Sequence, residues 1–233
     1  MDIWIGTSGF QYPEWKGKFY PEKLPASKML PFYAERFSST EINYSFRRIP
    51  SEKAIQSWAS STPDHFKFSF KAPQKVTHFA RLRDCGETMQ FFHRAIAPMG
   101  RKLGCVLIQL PPGFKSDASR LHDFLDDLPT GMRIAFEFRD ESWFEDETYG
   151  ILRKFNAALC LAESEDLATP LESTADFGCL RLRRLDYSAD DIHERAEFVK
   201  SQAKHWGDAF IYFKHEETCA GPGFARQMLD ALN

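Results

Sequence analysis

Ionisable, amide and hydroxyl side chains recur at intervals of two inside short apolar runs of this sequence. Glu41 and Asn43 lie in STEINYS, Ser69 and Lys71 in FKFSFKA, Glu137 and Arg139 in RIAFEFR, and Arg181 and Arg183 in CLRLRRL. A spacing of two puts side chains on one face of a β-strand. If that face met water, these would be ordinary surface strands. If it is enclosed, carboxylates and cations share a confined space, and two kinds of chemistry follow. A carboxylate can serve as a general base, its pKa set by burial and neighbouring cations. Planar guanidinium groups suit the oxygens of a phosphate or carboxylate.

Eight such runs span the chain: 2–8, 39–45, 66–72, 105–111, 133–139, 157–163, 179–185 and 209–215. Between them lie helical patterns such as SEKAIQSWAS, SRLHDFLDDL and DIHERAEFVKSQAKHW. Strands alternating with helices predict parallel βα units. Eight units in 233 residues predict an α/β fold, a (β/α)₈ TIM-type barrel forming a single domain over residues 1–233. A doubly wound sheet is the competitor, but GTSGFQY after the first strand is not the GxGxxG of a dinucleotide loop.

In a barrel one face of each strand meets the helices and the other the axis, and active sites gather at the carboxyl ends of the strands. Phe66, Phe68 and Phe70 then face the helices, as do Val106, Ile108 and Leu110. The inward set is Glu41, Asn43, Ser69, Lys71, Gln109, Glu137, Arg139, Glu163, Arg181 and Arg183. For strand eight the phase is open: either Phe213 and His215 point inward, or Tyr212 and Lys214 do.

The reading taken from these residues is an enzyme acting on a small anionic substrate, phosphorylated or acidic. Glu137 is the expected base, Lys71 the general acid or electrostatic stabiliser, and Glu41 a further catalytic carboxylate. Arg139 and Arg181 form the anion clamp. Asn43, His78, Gln109, Glu163, Arg183, Trp143 and Tyr12 complete the substrate-binding set. The same residues could instead make an ion network that only fills the barrel top. A metal enzyme would use Glu41, Glu137, Glu163, His78 and His215, although no HxH or HExxH spacing is present and arginines compete for the carboxylates. A third reading stacks Phe10, Tyr12, Trp15, Tyr44 and Trp143 on single-stranded nucleic acid. Against it stand a net charge of −3 and the lack of a dense basic stripe. The sequence names no cofactor. Trp15, Phe19 and Tyr20 are expected to pack the first loop against the barrel.

The five cysteines have no metal-like spacing, and Cys105, Cys160 and Cys179 sit in apolar runs as small core residues. The chain enters its first strand without a basic leader, and no apolar stretch approaches the ~18 residues of a membrane span. A reduced, cytoplasmic protein is expected. Ser8 in GTSGF lacks the GxSxG context of a nucleophile. Pro111 and Pro112 stop strand four, and one of their peptide bonds could be cis.

Several of these stretches together resemble one family, the YecE-like proteins or domain of unknown function 72. GTSGFQYPEWKGKFYP (6–21) is similar to its opening signature, with Phe10 in place of Trp. TEINYSFRRIP (40–50) is similar to the second, with Arg47 in place of Tyr. FKFSFKAP with Val76-Thr77-His78, KLGCVLIQLPPGF (102–114), AFEFRDESWF (135–144) and STADFGCLRLR (173–183) follow in order. Beyond residue 183 the chain departs: RLRRLDY stands where RLHG is usual, Phe213-Lys214-His215 replaces F-D-N, and Glu163 stands for Asp. The resemblance implies a TIM-type barrel with the inward polar set named above. It supplies no reaction.

Overall fold

The computed structural model describes residues 1–163, 167–214 and 218–232. Eight strands form as the alternation predicts: β1 (Asp2–Thr7), β2 (Ser39–Ile42), β3 (Lys67–Lys71), β4 (Leu103–Gln109), β5 (Ile134–Glu137), β6 (Ala158–Glu163), β7 (Phe177–Leu182) and β8 (Asp208–Phe213). All neighbouring pairs are parallel, in the order β1-β8-β7-β6-β5-β4-β3-β2. Among the described residues seven α-helices cover this sheet: α1 (Ala26–Ala34), α2 (Glu52–Ser60), α3 (Gly86–Ile96), α4 (Ala118–Asp126), α5 (Asp146–Lys154), α6 (Ala189–Ser201) and α7 (Ala220–Leu232). The result is a (β/α)₈ TIM-type barrel. Among the described residues no helix is long and apolar enough to cross a membrane.

Two apolar clusters divide the interior by strand phase. Phe68, Val106, Ile108, Phe136, Leu159 and Leu180 belong to the layer between strands and helices. Cys105, Leu107, Ala135, Cys160, Cys179 and Tyr212 belong to the second cluster, on the opposite strand face that lines the axis. Both groups are buried, so each strand is enclosed on two sides, which parallel sheets require. Tyr212 settles the phase of β8. Its hydroxyl bonds Ser39 Oγ and Ser69 Oγ, each at 2.7 Å, across the axis. Lys214 therefore continues the inward face. His215 lies outside the described residues. The described peptide bonds around Pro111 and Pro112 are trans.

β1 and β2 close the barrel differently from the other pairs. No ladder joins them; their backbones meet at a single bridge, Ser8 to Glu41. Side chains take up the groups that a ladder would satisfy. The Ile5 amide donates to Ser38 Oγ (3.0 Å) and the Thr7 amide to the Tyr33 hydroxyl (2.7 Å). Thr40 Oγ1 donates to the Thr7 carbonyl (3.1 Å), and Tyr33 to that of Ser39 (3.1 Å). Buried backbone groups must find partners, and here hydroxyls supply them. Gly6 permits the close approach: a Cβ there would stand 1.8 Å from the Ser39 carbonyl oxygen.

After β1 the chain turns at Gly9, whose φ of 94° is left-handed. A Cβ at Gly9 would collide with the Tyr12 ring, which folds back so that its hydroxyl donates to the Ser8 carbonyl (2.6 Å). Trp15 and Tyr20 are fully buried against Phe19, as the expectation that these rings pack the first loop has it.

Candidate functional site

The carboxyl ends of β2, β3, β4, β5 and β7 bring Glu41, Lys71, Gln109, Glu137 and Arg181 together over the axis. Arg181 on β7 is 3% exposed and spans the barrel. Its Nη2 donates to Glu41 Oε1 of β2 (2.8 Å), and its Nη1 pairs with Glu137 Oε2 of β5. The other Glu137 oxygen accepts from Gln109 Nε2 (2.7 Å) and Arg139 Nε (3.0 Å), with Arg183 Nη1 at 3.7 Å. Gln109 turns its carbonyl to Lys71, whose ammonium donates to it at 2.7 Å and lies 4.0 Å from the centre of the Phe46 ring. The charges at 137 and 139 thus point into an enclosed network.

The electrostatics separate these groups by role. Burial alone would raise the Glu137 pKa, but Arg181, Arg139 and Arg183 outweigh it and hold the carboxyl at about 2. A carboxylate held that low is a weak base near neutrality. Burial pushes Lys71 the other way, helped by the repulsion of Arg181, to about 8. Lys71 therefore gives up its proton more readily than an ordinary lysine. His78 is lowered by burial and by the Lys71 and Arg139 charges. It follows β3 on a wide π-helical turn (Lys75–Phe79), with Nδ1 2.8 Å from Thr77 Oγ1 and its ring perpendicular to that of Phe46 at 5.0 Å.

Above the network lies a cavity of about 450 Å³ lined by Ser8, Tyr12, Asn43, Lys71, Gln109, Arg139, Arg181, Arg183 and Lys214. Four cations of the network, Lys71, Arg139, Arg181 and Arg183, face two carboxylates, Glu41 and Glu137, so the mouth carries an excess of positive charge. Two buried polar atoms among its lining residues have no hydrogen-bond partner among the described residues: Ser8 Oγ and Arg181 Nε. Buried polar atoms are rarely left so.

Most of the expected set is brought together, with two exceptions. Trp143 points away: it is fully buried outside the barrel wall, stacked on Phe138 (4.6 Å, 7°), its indole N–H donating to the Phe114 carbonyl (2.6 Å). Glu163 shares its strand phase with Leu159 and Leu161, which face the helices, and its carboxylate is held by Arg195 of α6. It borders a neighbouring cavity of about 310 Å³ with Arg139, Arg183 and Lys214 but does not belong to the axial network. The polar identity of residue 163 hid this phase, which the alternation of Leu159 and Leu161 discloses. The sequence reading weighed Ser8 only as a nucleophile and set it aside, and it left Lys214 open. Ser8 continues the phase of Trp4 and Gly6, and that was the available signal.

For the other two chemistries the structure gives specific facts. Among the described residues no three of His, Cys, Asp and Glu gather as a metal site would need. Glu41, Glu137 and Glu163 all pair with arginines. Phe10, Trp15 and Trp143 are buried, leaving Tyr44 exposed and Tyr12 partly buried in the stacking set. All five cysteines are free, and the inward trio Cys105, Cys160 and Cys179 is buried.

Comparison with known proteins agrees with this architecture. The sequence model of a family described as "Protein of unknown function DUF72" matches residues 4–233. The UPF0759 protein YecE of Escherichia coli (strain K12) is 29% identical over 143 residues, 61% of this chain and 50% of its own length. The UPF0759 protein YunF of Bacillus subtilis (strain 168) is 31% identical over 159 residues, 63% of this chain and 54% of its own. The chain spans about half the length of these curated relatives. A crystal structure of a DUF72 family protein from Thermotoga maritima superposes with a TM-score of 0.90 at 26% identity, covering 100% of this chain and 99% of that one. One from Enterococcus faecalis does so at 0.82 and 17% identity, over 99% and 95%, which speaks to the fold alone. The family model's match along nearly the whole sequence shows that the chain belongs to the DUF72 family.

Proposed function

We propose that the barrel mouth is the active site of an enzyme acting on a small anionic substrate, phosphorylated or acidic, by acid/base chemistry. The observation that carries this reading is the pair of unpartnered buried donors, Ser8 Oγ and Arg181 Nε, beside a cavity with excess positive charge. An anion with several oxygens would satisfy both donors and find Arg139 and Arg183 at its sides. These two arginines are 31% and 27% exposed in their side chains, which suits a clamp that must meet ligand. Arg181, committed to two glutamates, positions the floor. Lys71, with a pKa of about 8, is the proton donor or acceptor; Glu137 holds charge rather than moving protons. Free cysteines fit a reducing compartment, the cytoplasm.

A thermal-shift screen of phosphosugars, sugar acids, nucleotides and short oligonucleotides, with and without divalent metals, tests the reading, with Ser8→Ala beside the wild type. A ligand at ~100 times its dissociation constant should stabilise by about 2.7 kcal/mol. In the free protein Ser8→Ala removes an unsatisfied hydroxyl and should be neutral or stabilising by up to about 1 kcal/mol, yet it should weaken the ligand roughly five- to tenfold. If no anion stabilises the wild type, the network is scaffold and the assignment is withdrawn. A hit confined to oligonucleotides would move the reading to nucleic acid.

A further inference from the structure

We propose that a cleft beside the mouth is a second subsite, and that the substrate is an anion carrying a flat apolar group, such as an aryl phosphate or aryl carboxylate. This rests on the reading of the mouth as an anion site and adds the chemical class of what the anion is attached to.

The cleft, about 690 Å³, lies between the loop after β1 and the segment running from β2 into α2. Its size falls within the range of small-molecule sites. It adjoins the polar cavity: Tyr12 and Asn43 line both. The two differ in chemistry. The polar cavity is walled by cations and amides, whereas the cleft has apolar walls at Ile42, Ile49, Ala54 and Trp58. Trp58 is fixed on its core side, lying flat over Phe68 at 6.4 Å and 22°, and is only partly buried, so part of its surface is left to the cleft. Such concave apolar surface next to a charged site is what an amphiphilic ligand would cover.

Two further details fit a flat group. Exposed Tyr44 stands on the wall together with Arg48, whose guanidinium makes no ion pair among the described residues. An aromatic ring and a planar cation are the partners on which a flat group stacks. At the junction, Tyr12 is held rigidly by its bond to Ser8 and its contact with Trp15 at 4.9 Å. The side chain of Asn43 makes no hydrogen bond among the described residues, which leaves its amide to the atom linking anion and ring. A free sugar phosphate would fill the mouth and leave the cleft empty.

The test compares methylphosphonate with 1-naphthylmethylphosphonate, a pair that shares the anion and differs by the ring, on the full chain by calorimetry. On the wild type the naphthyl compound should bind at least about tenfold more tightly, a modest share of what burying a ring can contribute. Ala54→Phe, which fills the cleft from α2, should bring the ratio of the two affinities towards one. Tyr44→Ala, at an exposed position, should lower it about threefold, in line with one aromatic contact, and keeps the test open if Ala54→Phe does not fold. Equal binding of the two compounds by the wild type would overturn the cleft and leave the anion site standing. A ratio that neither substitution changes would overturn it as well. Failure of both compounds to bind would remove the anion site and this inference with it.

Discussion

Lys71 shows how one residue's environment decides its use. Burial and the neighbouring Arg181 bring its pKa from the ordinary 10.5 to about 8. The folded protein thus resists holding a cation there, and the cost is present at neutral pH. The unfolded chain binds the proton up to about pH 10.5, so this cost is relieved as pH rises from about 8 to 10.5. Lys71→Met should therefore stabilise the free protein at pH 7 by about 1–2 kcal/mol, with the gain shrinking towards pH 10. Urea denaturation at both pH values reads this, and a loss of stability at pH 7 would show that the bond to Gln109 outweighs burial. Glu137 illustrates the reverse. Its sequence neighbourhood, a carboxylate among arginines, fits a base and a structural ion equally. Only the geometry, with three guanidinium groups around it, separates the two.

The elements were legible because enclosure on both faces leaves a strong mark. Phe66, Phe68 and Phe70 could only face helices, and Lys71 and Gln109 then had to face the axis. Boundaries were less plain. β4 begins at Leu103 and β7 at Phe177, each two residues before the apolar runs at Cys105 and Cys179, because Gly104 and Gly178 carry no side chain to signal a strand. Glu163 went astray since a polar residue at a strand end can turn to helix or axis, and Arg195, 32 residues on, decides which. The β1–β2 junction gave no sequence signal beyond its serines and threonines. Gly6 is its tightest point, with the Ser39 oxygen and the Tyr33 hydroxyl 1.8 and 2.5 Å from any added Cβ. Gly6→Ala should cost about 1–3 kcal/mol, as overpacking does. Thermal denaturation measures it; a cost near zero would mean that the junction yields freely.

Across the molecule, Arg181 ties three strands, taking Glu41 from β2 and Glu137 from β5. Such ties add definition more than stability, but breaking one strands a buried charge. Glu137→Gln should cost about 3–5 kcal/mol at pH 7 in chemical denaturation. The sign with pH follows from its depressed pKa. The contribution is complete above the ordinary 4.5 and is lost as pH falls towards about 2, worth about 3 kcal/mol in the wild type and absent in Glu137→Gln. An unchanged acid transition in the variant would contradict the assignment. The barrel itself could be read from eight repeats of one pattern. The site was readable in its residue list and not in its division of labour, because that depends on which oxygen each guanidinium reaches across the axis.

The hydroxyl-bonded junction between β1 and β2 has a consequence for how this barrel can vary. Elsewhere the strands are held by backbone ladders, which are indifferent to which side chains they carry. Here Ser38, Tyr33 and Thr40 do the holding. Each can be changed by a single substitution that leaves the backbone ladders alone, at the cost of a buried backbone group left without its partner. The apolar cleft borders the loops that emerge from this same junction. The spacing of β1 from β2, and with it the setting of the loops above, thus rests largely on three side chains, while the rest of the wall is held by backbone.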